Sequence, residues 1–211
     1  MAAATVRAQF RVETSSRSLG YNLPQRLGRA FWLPMLLMAL MLFGAGMALG
    51  IVRASEIADG SAADTIATLQ HVQAGLMFLG FASVFSAISF AIARILGQLR
   101  AGGGEVQEAA GRTVQTLRMP GTAKLFLVLM MMAMATLVVA SILHFVFAAD
   151  IDPTPASLAD AEDRFVVLEG VRRLGIAVYL FAILLGLATI IRVLRFQAVR
   201  LRELPREEPV R

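Results

Sequence analysis

The sequence predicts an all-α integral membrane protein of four transmembrane helices, arranged as two tandem, like-oriented hairpins with both termini cytoplasmic. Three observations carry this reading. The chain holds four long apolar runs, its basic residues fall on alternate connections between them, and its two halves resemble each other.

The runs cover roughly 31–52, 74–96, 125–148 and 174–191. A hydrocarbon core about 30 Å thick takes about 20 helical residues at about 1.5 Å each. A backbone in lipid must satisfy its own hydrogen bonds, so such runs become helices. Of the 211 residues, 57% are hydrophobic, and the mean hydropathy is +0.69. Soluble domains sit nearer 45–50% apolar. Ala48-Leu49-Gly50 has the small-x-small pattern of a cleavage site. However, its run is far longer than the roughly 7–15 residues of a signal peptide's apolar core, so we expect a retained span.

Charge sets the expected orientation. The segments before the first run, between the second and third, and after the fourth, counted with Arg94 at the inner end of the second run, carry 16 basic and 6 acidic residues. The other two loops carry 4 basic and 9 acidic. Basic residues stay on the cytoplasmic side. Arg7, Arg11, Arg17, Arg26 and Arg29 then face anionic headgroups. The high pI of about 10.9 is thereby a matter of orientation, and no nucleic-acid partner is expected. Lys124 is the only lysine beside 19 arginines. With heavy alanine use, this suggests a bacterial chain, placed in the inner membrane.

Five segments follow. They are a basic cytoplasmic N-terminal segment (1–30), a first hairpin (31–100), a glycine-rich cytoplasmic linker (101–121), a second hairpin (122–201) and a flexible tail (202–211). In the linker, Ala101-Gly102-Gly103-Gly104 is expected to break the helix, and 105–117 to form a short surface helix. The even-numbered helices should outrun the bilayer, from about 62 to 99 and from about 158 to 201, the latter interrupted near Gly170. Ser61 and Ser157 read as N-caps, each followed by Asp three residues on. At their cytoplasmic ends Arg94, Arg100, Arg192, Arg195, Arg200 and Arg202 can snorkel to the headgroups.

The likeness of the halves rests on small and polar residues. Gly75, Phe81, Ala82, Ser86 and Ser89 match Gly175, Phe181, Ala182, Gly186 and Thr189, 100 residues on. Gly46 and Gly50 form a GxxxG in the first run. Lipid supplies no hydrophobic drive for helices to meet, so close approach at small residues supplies it. Gly46, Gly50, Gly75, Ala82, Ser86, Ser89, Gly175, Ala182, Gly186 and Thr189 are therefore the expected helix-packing residues.

Chemistry is sparse. Without cysteine there are no disulfides, thiolate metal sites or cysteine nucleophiles. P-loop, GxSxG and HExxH patterns are missing. No Asp, Glu, Lys or Arg lies mid-span, which argues against an ion-coupled pump. The acidic loop around Asp150, Asp152, Asp160, Glu162 and Asp163 lacks the spacing of a calcium site, and no metal site is expected. His71 and His144 lie towards the same membrane face and are candidate axial ligands of a haem b. The expected function is a non-catalytic accessory or organising subunit of a larger membrane complex. Its partners would be the lipid bilayer, other membrane subunits or a second copy. A haem-bearing electron-transfer anchor and a small-solute transporter or channel, lined near Ser86, Ser89 and Thr136, are the alternatives.

Overall fold

Four helices account for most of the chain in the computed structural model, which describes residues 10–15 and 20–206. They are α1 (Leu23–Ala58), α2 (Ala63–Ala109), α3 (Gly121–Ala148) and α4 (Pro155–Glu203). Each is long and apolar enough to cross a membrane. The second and fourth are 47 and 49 residues long, about 70 Å at the helical rise.

Two short strands qualify the all-helical expectation. β1 (Val12–Ser15) pairs antiparallel with β2 (Val114–Leu117), Val12 opposite Leu117 and Ser15 opposite Val114. The surface helix expected over 105–117 is thus replaced by the end of α2, a turn and a strand. Val114-Gln115-Thr116-Leu117 has the β-branched, alternating character of a strand. Its partner lies about a hundred residues earlier, where no local pattern could reveal it.

The expected break at Gly102–Gly104 is also corrected. All three glycines are helical, and α2 continues to Ala109. It ends instead at Gly111, which has φ +65°. Arg112 N–H donates to the Gln107 carbonyl and Gly111 N–H to that of Glu108. This is a Schellman cap, whose left-handed position favours glycine. α1 ends in the same way at Gly60, φ +70°, with Ser61 N–H on Glu56 and Gly60 N–H on Ile57. Gly103 has a separate use inside α2: the Gln197 amide packs where its Cβ would stand.

Neither serine caps its helix. The Ser61 hydroxyl donates to Glu56. α4 begins two residues before Ser157, at Pro155, and Thr154 Oγ1 accepts the Ser157 N–H at 3.3 Å. Threonine at N-cap followed by proline at N1 is a strong start signal. α4 also runs unbroken through Gly170, where an added Cβ would meet nothing within 4 Å. A lone glycine costs only about 1 kcal/mol in a helix, too little to interrupt one so long.

The chain's contacts divide into two units. The first comprises residues 1–32, 88–128 and 182–211, and the second residues 33–87 and 129–181. In the second, Ala74, Phe78, Ala140 and Leu168 form a buried cluster, with Phe147, Phe165 and Val171 against it. Phe43 meets Phe81 at 5.2 Å. Gly46 faces Met77, Gly50 faces Gln73, and Arg53 Nη2 donates to Gln70 Oε1 at 3.0 Å. The α2 partner recedes as α1 advances, so these stretches run antiparallel.

In the first unit a buried polar knot adds to the apolar packing of residues such as Ile92, Phe126 and Phe196. Gln107 Nε2 donates to the carbonyls of Gly103 and Gln115, at 2.9 and 3.0 Å. Its Oε1 accepts Gln115 N–H and Arg200 Nε, both at 2.9 Å. Arg200 Nη2 reaches the Thr113 carbonyl at 3.1 Å. Arg200 is 0% exposed, so its expected place at the headgroups is corrected. Every polar site of the Gln107 amide is used, which is what makes its burial tolerable.

Candidate functional site

Two histidines on different helices meet inside the second unit. His71 comes from the first third of α2 and His144 from near the C-terminus of α3. The alignment of these helices is set by small residues. Ser141 Oγ donates to the Gly75 carbonyl at 2.6 Å. The Phe145 ring rests on Gly75, where a Cβ would stand 2.9 Å from it. With the helices so close, His71 and His144 come into contact, at 1% and 0% exposure.

Their Nδ1 atoms are 2.9 Å apart. His71 Nε2 lies 3.0 Å from the Ala161 carbonyl on α4. A carbonyl only accepts, so His71 Nε2 carries a proton. In a neutral pair His71 Nδ1 is then the acceptor, and His144 Nδ1–H donates to it. This assigns the tautomers from the hydrogen-bond network. It leaves His144 Nε2 as a bare lone pair, buried and without a partner among the described residues.

Aromatic rings enclose the pair. Phe78 meets the His144 ring edge-on at 4.7 Å. Phe165 lies 5.5 Å from the His71 ring and 5.6 Å from the His144 ring. Two arginines stand behind these aromatics. Arg172 is paired with Glu169 at 2.6 Å and lies over Phe78. Arg164 is paired with Asp160 and lies over Phe147. No carboxylate is hydrogen-bonded to either imidazole among the described residues.

The arrangement defines what the pair can do. It can hold and relay one proton between two rings. As it stands it does not fit a haem held by both side chains. Two nitrogens on one metal at roughly 2.0–2.1 Å each would be about 4 Å apart, with the porphyrin between the rings. Here the nitrogens bond each other directly, at 2.9 Å. Among the described residues no group of three or more His, Asp or Glu side chains could hold a metal ion.

The expected packing residues are placed as follows. In the second unit Gly46, Gly75, Ala82, Ser86 and Gly175 are all buried, and Gly50 is half-buried against Gln73. A Cβ on Gly175 would meet Leu137 at 2.9 Å. Ser86 Oγ donates to the Ala82 carbonyl and touches Met134 Sδ at 3.4 Å. In the first unit Ala182 and Gly186 are buried, and a Cβ on Gly186 would meet Ile92 and Phe126. Thr189 is buried, with Oγ1 3.0 Å from Thr122 Oγ1. Ser89 is half-buried. Thr136 turns its hydroxyl back on the Met132 carbonyl.

Sequence reasoning missed Gln107 and the Ala161 carbonyl, and it gave Arg200 a place at the headgroups instead of in the buried knot. Nothing local marks Gln107, whose partners come from β2 and α4. By class, these four helices suggest a multi-pass membrane protein in contact with lipid. No family model, curated protein or solved structure matches the chain.

Proposed function

We propose that this chain is a non-catalytic membrane protein of the bacterial inner membrane, with both termini cytoplasmic, that organises a larger membrane assembly. Its helices form two tandem hairpins, α1–α2 and α3–α4. The observation that carries the reading is where the polar chemistry goes. Several buried polar side chains are tied into contacts inside the protein: His71 with His144, Gln107 with Arg200 and the Gln115 backbone, Ser141 with the Gly75 carbonyl. Meanwhile large apolar side chains such as Leu40, Met41, Met47 and Ile51 of α1 are exposed. Only 11% of the most apolar stretch of α1 is buried. Such a chain presents membrane-facing surface rather than a reaction centre.

The alternatives have less support. The direct imidazole contact counts against the haem reading. Ser86 packs on a methionine thioether beside the stacked rings of Phe85 and Tyr179, which counts against a solute path there. The arginine asymmetry supports the orientation.

The test is purification from native membranes in mild detergent, followed by deletion. We expect stable co-purification of other membrane subunits and loss of one membrane complex on deletion. A partner-free monomer whose deletion leaves every complex intact would refute the organising role. A Soret band in the purified protein would favour the haem anchor instead.

A further inference from the structure

We infer that a basic cavity in the first unit holds the phosphate headgroup of an anionic phospholipid, with an acyl chain entering the apolar cavity next to it. The basic cavity has a volume of about 520 Å³ and is lined by Arg11, Arg118, Lys124 and Arg192. These come from the residue before β1, the residue after β2, the first turn of α3 and the second half of α4. None of its lining residues is acidic. None of the four cations forms an ion pair with the described residues. The chain's only lysine is among them.

Four like charges around one cavity repel each other unless an anion joins them. Guanidinium groups match phosphate oxygens in geometry as well as charge. Basic pockets among membrane helices are favoured positions for anionic headgroups. The strand pair explains how the cavity is assembled. Arg118 N–H donates to the Arg11 carbonyl at 2.9 Å, so β1–β2 pairing brings an N-terminal arginine to the start of α3.

The second cavity separates a lipid from free phosphate. Leu117, Met119 and Pro120 line both cavities. Beyond them a space of about 210 Å³ is walled by Ala93, Leu96, Phe126, Leu127 and Val193. Glu13 and Arg100 also border it, opposite in sign and so without net charge, and five uncharged polar side chains, among them Asn22, Gln25 and Gln197, contribute to a lining that remains mostly apolar. A charged compartment that shares a wall with an apolar one has the form of an amphiphile. Free phosphate would use only the first.

The inference rests on the membrane reading and not on the organising role. The experiment uses the full chain, delipidated in neutral detergent and titrated with phosphatidylglycerol, phosphatidylcholine or inorganic phosphate. Thermal unfolding and native mass spectrometry are the readouts. We expect phosphatidylglycerol to bind and raise Tm, and the other two to do neither. Arg118→Gln/Lys124→Gln/Arg192→Gln should weaken phosphatidylglycerol about a hundredfold, taking about fivefold for each cation removed. The control Arg173→Gln, at an exposed arginine outside both cavity linings, should stay within about threefold of the parent. Circular dichroism verifies folding of the triple variant. If it does not fold, the single variants carry the test, at about fivefold each. Equal stabilisation by inorganic phosphate, or equal loss in the control and cavity variants, would overturn the proposal. A chain that remains monodisperse without detergent would instead refute the membrane reading, so the two failures are distinguishable.

Discussion

His71 and His144 bond each other through their Nδ1 atoms at 2.9 Å, and the Ala161 carbonyl decides which of them donates. The two rings are energetically one object. Removing either ring strands the Nδ1 of the other, which costs about 1–3 kcal/mol, whereas removing both strands neither Nδ1.

A double-mutant cycle should show this directly. His71→Leu should cost more than His144→Leu, because it also strips the Ala161 carbonyl of its donor. The double variant should lose less than the sum of the two by about 1 kcal/mol or more. Thermal unfolding in detergent measures it, and strict additivity would show that the rings do not act together.

Gly75 and Gly44 should respond to alanine with opposite signs. A Cβ at Gly75 would stand 2.9 Å from the Phe145 ring, whereas one at Gly44 meets nothing within 4 Å. Overpacking predicts a loss of about 1–3 kcal/mol for Gly75→Ala. Helix propensity predicts a gain of up to about 1 kcal/mol for Gly44→Ala. Chemical denaturation of the two variants side by side checks the contrast. Equal behaviour would mean that α2 and α3 do not meet at Gly75.

The end of α2 can be located in the same manner. Gly111→Ala must place a side chain at φ +65°, at a cost of about 1–2 kcal/mol. Gly102→Ala stays helical with open space around it and should stabilise by up to about 1 kcal/mol. If Gly102→Ala proved the damaging change, the helix would be breaking where the sequence suggested.

Gln107→Leu should detach β2. It takes the Gln107 amide away from Arg200 Nε, from Gln115 N–H and from the Gln115 carbonyl. A loss of about 2–4 kcal/mol is expected from the stranded buried groups. Hydrogen exchange should quicken at the β2 amides while α3 stays protected. Unchanged exchange across 114–117 would show that the knot does not hold the strand.

Much of this protein could be read from its residues alone. Four helices long and apolar enough to cross a membrane follow from runs of apolar side chains, because a backbone in lipid would have no partner except itself. The small residues Gly75, Gly175 and Gly186 could be picked out because close helix approach requires them. Thr154-Pro155 and Gly111 were legible too, as a helix start and stop, although weaker signals at Ser157 and Gly102–Gly104 competed with them. What only the tertiary structure decided is which distant groups meet. His71 finds Ala161 90 residues away, Arg200 finds Gln107 across 93, and Val12 pairs with Leu117. Hydrophobicity and helical rise act between near neighbours along the chain and leave a record there. A hydrogen bond between remote residues depends on how the helices align, and no stretch of sequence records that by itself.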